Sequence, residues 1–402
     1  MTKTIMSLTA LFLFYLIYGF YLSQVDLAVV PPNLKRENPP GFYDYRGVTN
    51  VRSELSSGLS SPLEIVADAK KIGLDFLILT DANQVEHPKQ YVGYHGNLLV
   101  MVEGEYSFLD SRLLFYSPQN ESLPNEAGEL NLFFTDLLSQ KQPERRENIL
   151  VLAEPFRDGQ TWQGNLHPGV DGIEIVNPKS ISRNAWKRSK IDVLWSLVVY
   201  PFNPQVSFLR LFREPREEII LWDKISQDRR LTAFSGADAS ARAIPLANYL
   251  MKFPSYQKTL EVTSNHVLLE SELTGNLQKD RQKIFSALKK GQFYVALDLL
   301  GDPKGFLSTL TDRDKVYPIG SAVKYNKNLR IQAKLPIEPR DFYEIVLFKN
   351  GERELTVNQP ELNYEVKGPG RYRIVVRVSP TLPIPDGKKW ITWIYTNNYY
   401  ID

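Results

Sequence analysis

Apolar residues fall in short runs along the first three quarters of the chain, and most runs close on a polar residue. In LSSPLEIVADAKKIGLD (59–75), Leu63, Val66, Ala69 and Ile72 recur at helical spacing. Ser61 and Glu64 fit a capping box, Pro62 takes the first helical position and Gly73 suits the C-terminal cap. The strand DFLILT follows at once. Further strands are expected at Leu98–Val102, Ser107–Tyr116, Asn148–Ala153, Gly172–Val176 and Leu231–Phe234, and helices at Leu132–Leu138, Trp186–Tyr200 and Arg216–Lys224. The strands end in Thr80-Asp81, Glu154-Pro155, Asn177-Pro178 and Ser235-Gly236-Ala237-Asp238. Short strands alternating with helices predict a parallel α/β layer or barrel, with a site where the strands end.

The pattern changes after about residue 300. Gln292–Leu297 and then LGDPKG mark a boundary, and alternation of period two takes over. Lys349-Asn350-Gly351-Glu352 is a type I′ hairpin signal between alternating arms. A Gly368-Pro369-Gly370 turn leads into RYRIVVRV, and WITWIYTN (390–397) reads as the last strand. This predicts a small β-sandwich of Ig-like character.

At the other end, Ile5–Leu22 carries no charge. Eighteen helical residues cover about 27 Å, close to the ~30 Å bilayer core. The run is long for a signal peptide, and no small-x-small site follows it, so an uncleaved anchor is favoured over a cleaved signal. Lys3, the one basic side chain ahead of it, gives a slight bias toward an N-terminus inside. The expected segments are thus an anchor or signal (1–24), a Pro-rich linker (25–40) with PPNLKRENPP as a stiff spacer, an α/β region (41–300) and a sandwich (306–402).

Composition narrows the chemistry. Lys+Arg number 48 against 46 Asp+Glu, without the basic excess of a nucleic-acid binder. The absence of cysteine excludes disulfides, thiolate catalysis and Cys-held zinc. His87, His95, His167 and His266 are few for a multi-His metal centre, and each reads as a loop or solvent-facing residue. Asn120-Glu121-Ser122 matches a glycosylation pattern of little weight. There is no Gly-rich phosphate loop, Gly-x-Ser-x-Gly elbow or HExxH.

RGVTNVRSELSSG (46–58), LTDANQ (79–84), VEGEYS (102–107), LAEPF (152–156) and FSGADAS (234–240) give the α/β region a resemblance to the PHP (polymerase and histidinol phosphatase) family. Within it the chain is similar to the CehA/McbA-like metallohydrolase branch, over about Tyr43 to Asp298. The resemblance implies a distorted β/α barrel around two or three divalent metals held by His, Asp and a Glu. It also implies that most ligands are replaced. The His-x-His pair stands as Asn50-Val51-Arg52, and the Asp of Ser-Asp-Gly is Ser57. Thr-Asp-His is Thr80-Asp81-Ala82, the Glu is kept as Glu105, the His of Ala-His-Pro is Glu154, and Asp-x-His is Asp238-Ala239-Ser240.

A guanidinium has no acceptor and does not deprotonate, so Arg52 is not a ligand. It is expected to replace metal charge by pairing with Asp81, Glu105, Glu154 or Asp238. The expected protein is therefore a non-catalytic, metal-free binding or scaffolding module. It would sit in a bacterial inner membrane through residues 5–22, with its bulk in the periplasm. An envelope protein or an anionic small ligand is the expected partner. The bacterial compartment rests on the resemblance and the lack of cysteine. The alternative is a phosphoesterase or other hydrolase using Mg²⁺, Ca²⁺ or Mn²⁺ at Asp81, Glu105, Glu154 and Asp238, an oxygen-only set. A third possibility is a sugar or lipid-headgroup pocket near Arg183, Trp186 and Lys187.

Overall fold

The computed structural model describes residues 2–31, 34, 37–82, 89–108, 111–119, 123–124, 126–157, 160–161, 166–246 and 249–402. His87 and the Asn120-Glu121-Ser122 pattern lie outside the described residues. The strands that frame the site are β1 (Tyr43–Val51), β2 (Phe76–Ala82), β3 (Leu98–Phe108), β4 (Ser111–Tyr116), β5 (Ile149–Ala153), β6 (Gly172–Val176), β7 (Thr232–Ser235), β8 (Ser264–Leu269) and β9 (Phe293–Ala296). They lie in the order β7-β6-β5-β4-β3-β2-β1-β8-β9.

The sheet is mixed, which corrects the expectation of a parallel layer. Strands β1/β2, β2/β3, β5/β6 and β6/β7 pair parallel. Strands β3/β4, β4/β5, β1/β8 and β8/β9 pair antiparallel. The reason lies at residues 104–116. Strand β3 continues past the expected end at Val102, and β4 folds back on it as a hairpin arm. Between β7 and β8 side chains replace a backbone ladder. The Asn265 amide donates to the Ser235 carbonyl at 2.9 Å and accepts from the Ser235 amide at 3.0 Å.

The helices are α1 (Thr2–Ser23), α2 (Pro62–Lys71), α3 (Ala127–Ser139), α4 (Pro178–Arg188), α5 (Lys190–Val199), α6 (Pro204–Leu211), α7 (Arg216–Asp228), α8 (Tyr256–Leu260) and α9 (Leu277–Lys290). Helix α2 carries the expected capping box, with Ser61 accepting from the Glu64 amide and the Glu64 carboxylate accepting from the Ser61 amide. Ser61→Ala is expected to cost about 1 kcal/mol, read as a lower urea midpoint at unchanged slope. The single helix expected at 186–200 is two, because Ser189 ends α4 in extended conformation and its hydroxyl caps α5.

The last quarter is less separate than its composition suggests. It holds β10 (Leu307–Asp312), β11 (Lys315–Pro318), β12 (Leu329–Lys334), β13 (Phe342–Lys349), β14 (Glu352–Val357), β15 (Glu361–Glu365), β16 (Gly370–Ser379), β17 (Ile391–Thr396) and β18 (Tyr399–Ile401). Asn350 and Gly351, both at positive φ, make the expected turn between β13 and β14. WITWIYTN is not the final strand, since β18 follows it. Strand β9 pairs with β17, so the main sheet runs unbroken across the boundary expected near residue 300. A four-stranded sheet, β11-β10-β12-β15, shares an apolar core with β13, β16 and β17 through Leu310, Ile331 and Leu362 on one side and Ile345, Ile374 and Trp393 on the other.

Part of the segment expected as a Pro-rich linker also belongs to this core. Leu27, Val29 and Val30 are buried. The Val29 amide donates to the Leu300 carbonyl at 2.8 Å, and the Val29 carbonyl accepts from the Arg340 amide at 2.9 Å.

Candidate functional site

Strands β1, β2, β3 and β5 and the turn after β7 bring Asn50, Arg52, Asp81, Glu105, Glu154 and Asp238 to one end of the sheet, all of them buried. Three of these residues carry unusual backbone: Asn50, Glu154 and Asp238 have φ of 59°, 46° and 45°. For residues with a Cβ this left-handed region is unfavourable, and such positions cluster at functional sites. The β1/β2 and β6/β7 registers also slip here, between Val48 and Val51 and between Phe234 and Ser235.

The side chains form one ion-pair cluster. Arg52 donates through Nε and Nη2 to Glu105 Oε2 at 2.9 and 2.7 Å, and Nη2 stands 3.1 Å from Asp238 Oδ1. Arg112, from the start of β4, is its counterpart. It grips Glu105 with Nε and Nη2 at 2.8 and 2.6 Å, and through Nη1 it reaches Glu154 and, at 3.1 Å, Asp238 Oδ2. Three carboxylates thus share two guanidinium groups. Partly exposed cations close the rim: Lys179 lies 3.3 Å from Asp238, and Arg183 lies 2.6 Å from Glu154. Burial is the largest influence on Glu105 and pushes its carboxyl up to about 7, against the pull of Arg52.

Asp81 stands apart. Its carboxylate accepts from the Ser53 amide and hydroxyl, each at 2.8 Å, and from the Ser56 hydroxyl. It therefore pins the turn after β1, and among the described residues Arg52 is directed at Glu105 and Asp238 and not at Asp81, unlike one of the expected pairings. Ser57 is exposed, and Ser53 and Ser56 make the contacts in its place. Ala82 is half-buried at the end of β2, and the Ser240 hydroxyl is 3.2 Å from Lys179 Nζ.

Glu174, in the middle of β6, is a member outside the expected site set. Its carboxylate accepts from the Asn50 amide at 2.8 Å and the Asn177 amide at 3.0 Å, and burial pushes it up to about 8. Arg112 was missed as well. An arginine inside SRLLFY carries no local mark of its distant partners. Of the third possibility's residues, Arg183 is held by Glu154, while Trp186 is exposed with Lys190 5.9 Å above its ring.

A divalent cation needs several unprotonated donors converging on one point. At Glu105, Glu154 and Asp238 that point is taken by guanidinium N–H groups, and hydroxyl and amide donors face Asp81. The described residues do not fit the metal centre that the resemblance implies. Among the described residues, no three His, Cys, Asp or Glu side chains group as a metal site would need.

The three described histidines, His95, His167 and His266, lie elsewhere. His95 Nε2 is 3.3 Å from the Tyr91 carbonyl, and the His167 carbonyl accepts from Arg229. His266 corrects the expectation of a loop or surface residue. It is fully buried in β8, with Nδ1 2.8 Å from Asp44 and its ring stacked 4.7 Å from that of Tyr294.

Fold and site together define an α/β protein with a mixed sheet, whose strand ends carry a closed cluster of ion pairs. No protein-family model and no curated protein matches the chain. Several solved structures are similar to it in part, three of them as follows. One is a two-domain protein from Bacteroides vulgatus containing a predicted PHP-like metal-dependent phosphoesterase, at 14% identity over 91% of this chain and 99% of that one, with a TM-score of 0.42. Another is PsfC from Pseudomonas syringae, at 12% identity over 59% and 87% with a TM-score of 0.36. The third is a candidate metal-dependent phosphoesterase from Bifidobacterium adolescentis, at 11% identity over 54% and 94% with a TM-score of 0.29. Likeness at this level carries no statement about chemistry.

Proposed function

We propose that this chain is a single-pass protein of a bacterial inner membrane, with its bulk in the periplasm. Its PHP-like barrel would act as a metal-free binding or scaffolding module and not as a hydrolase. One observation carries the reading: Arg52 and Arg112 are both turned onto Glu105 and Asp238, so fixed positive charge occupies the place where the resemblance implies metal. The left-handed backbone at Asn50, Glu154 and Asp238 fits an active-site frame kept while its donors changed. The anchor rests on α1, whose span Lys3–Ser23 has a mean hydropathy of 1.9 in its most apolar stretch and is mostly unburied. A cavity of about 860 Å³ beside the cluster is lined by both signs, with Lys187, Arg188 and Arg213 set against Glu154, Glu214 and Glu217, and a small anionic ligand would bind at its cationic part.

The test is hydrolysis of a generic phosphodiester by the detergent-solubilised full chain with Mg²⁺, Ca²⁺ or Mn²⁺. The expected rate is that of buffer, unchanged in Asp81→Ala and Asp238→Ala. Turnover that collapses in both variants would instead establish the carboxylate-dependent hydrolase.

A further inference from the structure

We infer that α5 lies in the membrane interface, giving the protein a second, non-spanning contact with the bilayer that α1 enters. The inference rests on the anchor reading given above.

Helix α5 is apolar on the side that faces away from the protein. Ser196 and Val199 are buried against the core. On the opposite face Ile191, Leu194 and Val198 follow at i, i+3 and i+7 and are 78%, 53% and 41% exposed, with Leu197 beside them at 44%. A helix on a water-facing surface carries polar residues there. Immediately before this face, Lys187-Arg188-Ser189-Lys190 places three cations at the α4/α5 junction. An apolar face with cations at its edge is the composition of a helix lying in a lipid headgroup layer.

What covers this face follows from its neighbour. Tyr15, Tyr18, Gly19 and Leu22 are the less exposed stripe of α1, at helical spacing, while most of its other side chains stay open. That stripe docks onto α5 and the turn after it. The Tyr15 ring meets Phe202 edge-on at 4.9 Å, and its hydroxyl donates to the Val198 carbonyl at 3.3 Å. Tyr18 lies 5.8 Å from Trp195. Phe202 packs so closely on Gly19 that a Cβ there would fall 2.4 Å from its ring.

Tyr15 is eight residues before the end of α1, roughly 12 Å along the helix axis. If α1 spans the bilayer, the groups touching Tyr15 sit below the level at which the span ends, and Val198 and its exposed neighbours sit there with them. Closer to the end of α1, Tyr18 and Trp195 are of the two residue types enriched where protein crosses the headgroup level. The occupant of the α5 face is therefore lipid of the leaflet around the C-terminal end of α1.

The chain has no cysteine, so single labels are clean. Leu13→Cys, Leu194→Cys and Lys327→Cys would each be labelled with an environment-sensitive fluorophore in the full-length protein, reconstituted in vesicles of phosphatidylethanolamine and phosphatidylglycerol. Quenching by lipids brominated at successive acyl positions is then measured. The account expects strong quenching at position 13, clear quenching by shallow-brominated lipid at position 194 and none at 327. Quenching at 13 with none at 194 overturns the inference and leaves the anchor standing. Blue-shifted but unquenched emission at 194 also overturns it, because protein and not lipid would then cover α5. No quenching at either 13 or 194 removes the anchor reading and the inference together.

Discussion

Replacing Arg112 with methionine is expected to destabilise the folded chain by about 3–5 kcal/mol, the usual cost of leaving buried charge without its partner. The side chain is 2% exposed and, among the described residues, is the one group that touches Glu105, Glu154 and Asp238 together. Methionine fills much of the volume, so the loss is electrostatic and not a cavity. Arg52 then faces Glu105 and Asp238 with help only from the partly exposed Lys179 at Asp238, and Glu154 keeps the partly exposed Arg183. Arg112→Lys should restore little, since an ammonium cannot span two acids and still bind a third in two places. Adding Glu154→Gln to Arg112→Met should recover part of the loss, because the double variant has less unpaired charge. The measurement is urea unfolding of the full chain in detergent, followed by tryptophan fluorescence. A loss below about 1 kcal/mol, the scale of an exposed pair, would mean that water reaches the cluster and that it does not hold the strand ends together.

His266→Gln is expected to cost about as much, and to do so in a pH-dependent way. The imidazole is fully buried among Asp44, Asp298 and Asp302, with Nε2 3.8 Å from each of the last two. Arg46 serves the same Asp298, and the Tyr294 hydroxyl donates to Asp44. Burial alone would lower the imidazole pKa. The Asp44 charge, with Asp298 and Asp302, outweighs it and raises the pKa to about 10. A group whose pKa is raised by folding contributes its full stabilisation below its unfolded value, near 6.5, and loses it as pH rises toward the folded value. Other groups titrate in the same window, so the informative quantity is the difference between wild type and variant. That difference should be largest near pH 6 and shrink steadily toward pH 10. A difference independent of pH would mean that His266 is neutral in the fold.

These two clusters also separate what was legible in the sequence from what was not. The strand-then-polar pattern placed Asp81, Glu154 and Asp238 at strand ends, because burial in a sheet leaves a period that local reading detects. The family motifs brought Asn50, Arg52 and Glu105 to the same end. Arg112 stayed hidden because its partners lie 7, 42 and 126 residues away, and its own strand is otherwise apolar. His266 was misread for the same reason, its acid partner lying 222 residues earlier. Strand direction failed where β4 turns back on β3, since period two is the same in parallel and antiparallel strands. The boundary near residue 300 is real in composition, yet β9 pairs with β17 across it, a long-range pairing that no local pattern announces.

The central proposal is that two arginines stand where the resemblance to PHP proteins implies metal. Its most direct test is metal linkage. The full chain is incubated with Mg²⁺, Ca²⁺, Mn²⁺ or Zn²⁺, its bound metal is measured after free ions are removed, and its unfolding midpoint is followed against ion concentration. The account predicts no stoichiometric ion and no rise in midpoint. A retained ion with a midpoint that climbs with concentration, reaching about 2.7 kcal/mol of added stability at a hundredfold excess over its dissociation constant and vanishing in Asp238→Ala, would contradict it.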